Sequence, residues 1–128
     1  MSYSIGKQVD LSYDEALEKV EVELKKEGFG VLTEIDVKKT LKEKLDVDVS
    51  RYKILGACNP PFAHKALEVE PEVGLLLPCN VIVYESADGL TNVAAINAHA
   101  MLSIIGRDDI EPIAQEVNER LKRVIDNM

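Results

Sequence analysis

Two cysteines, Cys58 and Cys79, are the residues best suited to chemistry, each followed by an asparagine (Asn59, Asn80) and each flanked by proline. A thiolate is both a nucleophile and a soft ligand. Two of them can therefore bind a thiophilic ion such as zinc, cycle reversibly as a redox pair, or pack as small apolar side chains. His64 offers a third metal ligand beside Cys58 and Cys79. Its spacing, Cys-x5-His with the second cysteine far downstream, lacks the Cys-x2-Cys character of zinc motifs. His64 also falls on a helix face opposite Phe62, Ala63 and Leu67, where Glu68 stands at i,i+4 and a surface ion pair suffices.

Asn59-Pro60-Pro61 reads as a helix start, with asparagine as the cap and prolines in early positions that need no N–H. The helix is expected to run to about Glu70, with Phe62, Ala63, Ala66 and Leu67 buried. Cys58 then precedes a helix N-terminus, whose partial positive charge favours thiolate. The same end suits a small anionic or apolar ligand held by Cys58, Asn59 and Asn80. His99, just past a predicted strand, reads as a polar-face or interface histidine. No Walker loop, Gly-x-Gly-x-x-Gly, His-Glu-x-x-His or Gly-x-Ser-x-Gly occurs, so nothing in the sequence commits the chain to an enzyme activity.

The elements that must position these residues are legible from periodicity. Tyr3 to Val9 reads as a strand. Ser12 and Glu15 form a capping box for a helix carrying Tyr13, Leu17, Val20 and Leu24, which Gly28 ends. Phe29 to Ile35 is a second strand, and Asp36 caps a short helix to Leu45. Arg51 to Ala57, Asn80 to Glu85 and Thr91 to Ile96 are three more strands, the last two joined at Ala87-Asp88-Gly89. Leu75-Leu76-Leu77 is an apolar crossing expected to be buried. A terminal helix, Asp108 to Asn127, carries a strong apolar stripe that needs a sheet beneath it. Antiparallel pairing of the third and fourth strands would bring both cysteines to one end of the sheet. The fold class is α+β: a mainly antiparallel sheet of about five strands with helices on one face.

The chain has 128 residues, enough for one domain spanning 1–128. Its 15 Lys and Arg against 23 Asp and Glu give a net charge of −8, which opposes nucleic-acid binding. No apolar run is long enough to span a bilayer, and the first residues lack the basic and apolar regions of a signal peptide, so a cytoplasmic location is expected. There the two cysteines would remain free thiols.

The string YKILGACNPPFAHKAL, followed by EPEVGLLLPCNVIVYE, resembles the core of the prokaryotic domain of unknown function 302 family. GFGVLTEIDVKKTLKEKL and the final helix are similar to it as well. The matching positions are Gly56, Ala57, Cys58, Asn59, Pro60, His64, Leu67, Pro71, Gly74, Leu77, Pro78, Cys79 and Val81. The resemblance implies a small TATA-binding-protein-like fold, β-α-β4-α, and a homodimer. Many relatives have Asp-Pro where this chain has Asn97-Ala98. The family's name assigns no activity. Three uses of the chain follow: a thiophilic metal or thiol site, a small-ligand module without catalysis, and a dimeric interaction protein whose cysteines are core packing.

Overall fold

The computed structural model describes residues 2–128. Ser12 accepts from the Glu15 N–H at 3.1 Å and Glu15 accepts from the Ser12 N–H at 3.0 Å, so the capping box forms and starts α1 (Tyr13–Lys26). Gly28 follows at φ +85°, the left-handed conformation that stops the helix. Before α1 lies β1 (Ser4–Val9) and after it β2 (Gly30–Asp36). The Asp36 side chain caps α2 (Val37–Leu45), a helix with no buried residue. Then come β3 (Tyr52–Cys58), α3 (Pro60–Val69), a 3-10 segment (Pro71–Leu76), β4 (Cys79–Glu85) and β5 (Thr91–Ile96). A short α4 (Ala98–Leu102), capped by Asn97, was not foreseen; it precedes a second 3-10 turn and the terminal α5 (Glu111–Asp126).

The five strands form one antiparallel sheet in the order β1-β5-β4-β3-β2. The first two strands are therefore parallel to each other at opposite edges, and α1 makes the crossing between them. It packs with α5 against the sheet, and the buried Val20, Leu24, Leu55, Val81, Val83, Val93, Leu121 and Val124 fill the space between. A neighbouring cluster of Ala66, Val73, Leu102, Ile110 and Ala114 joins α3, the first 3-10 segment, α4 and α5.

Two packing expectations are corrected. Leu67 is 42% exposed instead of belonging to the buried stripe of α3, which reduces to Ala66 with Phe62 and Ala63 half-buried. The Leu75 to Leu77 crossing is not buried as a unit. It ends a 3-10 turn whose buried residue is Val73, leaving Leu75 82% exposed and Leu76 and Leu77 half-buried. A 3-10 turn repeats every three residues, so only part of a continuous apolar run can face inward.

Candidate functional site

The antiparallel register of β3 and β4 pairs Ala57 with Cys79 and Gly56 with Asn80, which brings the two cysteines to the same end of the sheet as the sequence predicts. Cys79 begins β4 in phase with Val81 and Val83 and is 5% exposed; Cys58 ends β3 half-buried, and both are free thiols. Burial, and then the proximity of Cys58, push the Cys79 thiol up to about 11. At neutral pH Cys79 is therefore a neutral, apolar side chain, poorly suited to nucleophilic work. Both cysteines line an apolar cavity with Phe29, Ala57, Phe62, Ala66, Leu77 and Val117, of about 40 Å³. Drug-sized ligands occupy sites of roughly 300–1,000 Å³.

Asn59 is 6% exposed and its side chain does not cap α3. Its amide instead donates to the Glu27 carbonyl at 3.1 Å, beside the Arg120 Nη1–H donating to the same oxygen at 2.9 Å. Arg120 also lies 5.0 Å from the centre of the Phe62 ring, a cation–π contact. The amide predicted as a cap and ligand contact is thus committed to joining three elements.

His64 and Asn80 stand apart from this cavity. His64 is 76% exposed and pairs with Glu68 at 3.0 Å, matching the surface role open to it from its spacing. Among the described residues, no three of His, Cys, Asp and Glu gather in a group able to hold a metal ion. Asn80 cannot converge with Asn59 near the start of α3: one residue beyond Cys79, strand alternation turns it to the opposite face of the sheet. His99 lies on α4, where its ring pairs with Glu111 at the start of α5.

The other face of the sheet carries a second candidate surface that periodicity within single segments does not reveal. Strand register groups there Thr33 and Ile35 of β2, Tyr52, Ile54 and Gly56 of β3, and Asn80, Ile82 and Tyr84 of β4. Asn92, Ala94 and Ile96 of β5 continue the face to Ser4, Gly6 and Gln8 of β1. None of these residues carries a charge, although 30% of the chain is charged. Apart from Gly56, every one is exposed or half-buried. The rings of Tyr52 and Tyr84 stack at 5.2 Å between centroids. A shallow groove of about 220 Å³ runs among Tyr3, Tyr52, Asn80, Ile82, Ala94 and Ile96. The signal lies in Val81-Ile82-Val83-Tyr84, apolar in both strand phases. An antiparallel strand with one solvated face alternates apolar with polar instead.

A family model described as domain of unknown function DUF302 matches residues 5–128. The chain belongs to the DUF302 family. Its fold is similar to the crystal structure of an uncharacterised conserved DUF302 protein from Bacillus stearothermophilus, with a TM-score of 0.91 and 30% identity over 98% of each chain. An uncharacterised protein of Aquifex aeolicus (strain VF5) is 35% identical over 94 aligned positions, which take in 64% of this chain and 65% of that relative. The α+β class with its antiparallel sheet agrees with the expectation drawn from periodicity. Among the described residues, no helix is long and apolar enough to cross a membrane.

Proposed function

We propose that this chain is a homotypic interaction domain: the open face of the sheet docks a second copy, and Cys58 and Cys79 are core packing in a reducing, cytoplasmic setting. The observation that carries the reading is the uncharged, largely apolar sheet face on a chain of net charge −8. Two copies repel through most of their surface, and this face is where they meet without opposing like charges. Contiguous apolar surface of this kind marks contact sites.

The area is sufficient. Five strands about 4.8 Å apart and about 20 Å long give roughly 500 Å² per copy in projection, so a pair covers about 1,000 Å², the lower bound for a specific interface. Sedimentation at concentrations on the order of 100 μM, compared with Ile82→Asp, tests the proposal. A dimer that the aspartate converts to folded monomer is expected; a wild-type monomer at that concentration overturns it.

The shared cavity of Cys58 and Cys79 favours a rival in which the two thiols hold a thiophilic ion such as zinc or carry out reversible thiol chemistry. Elemental analysis of protein purified without a histidine tag tests it. Stoichiometric metal, lost on Cys58→Ser or Cys79→Ser, would put that reading first.

A further inference from the structure

The open face is graded in size across the strands. Along its central row, register aligns Ile35 of β2, Ile54 of β3, Ile82 of β4, Ala94 of β5 and Gly6 of β1, so bulk falls from one edge of the sheet to the other, with β4 in the middle. The gradient is tightly built at the small end: a Cβ on Gly6 would lie 2.7 Å from the Cβ of Ala94. The neighbouring row runs the other way, with Ile96 on β5 and Gly56 on β3 buried beneath Thr33 and Pro78.

Two sheets meeting face to face through a two-fold axis have two simple arrangements. An axis across the strands sets each strand over its own copy, so Ile54 meets Ile54 while Ala94 meets Ala94, leaving crowding at one edge and a void at the other. An axis along the strands sets β3 over β5 and β2 over β1, with β4 over itself. Large then meets small on either side of the axis, Ile54 against Ala94 and Ile35 against Gly6, while Ile82 meets its own copy on the axis. We infer that two copies pack with their two-fold axis along β4, so that Ile54 of one copy seats on Ala94 of the other and Ile35 on Gly6. The twist of each sheet offsets the strands by about 30° and preserves these partners near the axis. The inference rests on the dimer reading above and supplies its geometry.

An exchange of sizes tests it. Within one chain Ile54 and Ala94 stand on either side of Ile82 of β4, so the exchange is read on dimer dissociation and the crosslink below reports the contact itself. Dimer dissociation constants are measured by sedimentation for Ala94→Ile, Ile54→Ala and the double variant, with circular dichroism to verify folding. Each single change is expected to weaken the dimer about tenfold, and the double change to restore it to within about threefold of wild type. A dimer strengthened by Ala94→Ile, with no rescue in the double variant, overturns the axis and leaves the dimer standing. A wild-type monomer removes the dimer reading itself. As a second readout in a Cys58→Ala background, Ile54→Cys is expected to crosslink to Ala94→Cys chains and not to itself; self-linking overturns the axis.

Discussion

The Asn59 side chain donates to the Glu27 carbonyl at 3.1 Å, and this bond fastens the end of α1 to the junction between β3 and α3. Arg120 of α5 donates to the same oxygen, so three elements meet at one backbone atom. Gly28 belongs to the same node: a Cβ there would lie 3.1 Å from the Asn59 Nδ2. Asn59→Ala removes one of two donors and is expected to cost about 1–2 kcal/mol in urea unfolding. Asn59→Asp, which sets a carboxylate against a carbonyl, should cost more at neutral pH.

Cys79 makes stability depend on alkaline pH. Its thiol is raised from an ordinary 9.0 to about 11, so the folded state keeps the proton longer than the unfolded state does. Its contribution is complete below pH about 9 and is lost as pH rises toward about 11, on the order of 2–3 kcal/mol in all. Cys79→Ala should flatten that part of the stability profile. In native protein at pH 8, Cys58 is expected to react with a thiol reagent well before Cys79.

Gly56 is required by its neighbours. A side chain there would run into the Thr33 hydroxyl and approach the Pro78 ring at 2.8 Å. Gly56→Ala is therefore expected to destabilise the fold by about 1–3 kcal/mol, and adding Thr33→Ala should recover part of the loss in the same thermal melt.

Self-association should strengthen with salt. Where an interface lacks charge and the two bodies repel through net charges of −8, screening removes an opposing force and leaves the contact intact. Raising sodium chloride from about 0.05 to about 0.5 M is expected to tighten the dimer several-fold. Weakening instead would mean that ion pairs hold the copies together.

The elements were largely legible because their signals are local. Ser12 and Glu15 cap α1, Gly28 ends it, and Gly89 at φ +80° turns β4 into β5. The cysteines' approach was legible too, since one strand pairing implied it. What escaped was nonlocal. Asn59 looked like a cap because its neighbours are prolines, and its real partner, Glu27, belongs to another helix. Asn80 was grouped with Asn59 by adjacency to a cysteine, although strand alternation sets it on the other face. The neutral sheet face emerges only when five strands are aligned in register, which no single segment reveals.

The placement of β1 at the sheet edge beside β5 also orders events in time. Ser4 pairs with Ile96, so β1 must wait until β5 has been made before its backbone groups find partners. At 5–20 residues per second that wait lasts roughly 5–20 s. Until then β1 has no mate, while β2, β3 and β4 can already zip as sequential neighbours. Closing the sheet is thus a late clasp between distant parts of the chain, and the rate of that clasp governs how long a nascent chain presents an open edge to its neighbours.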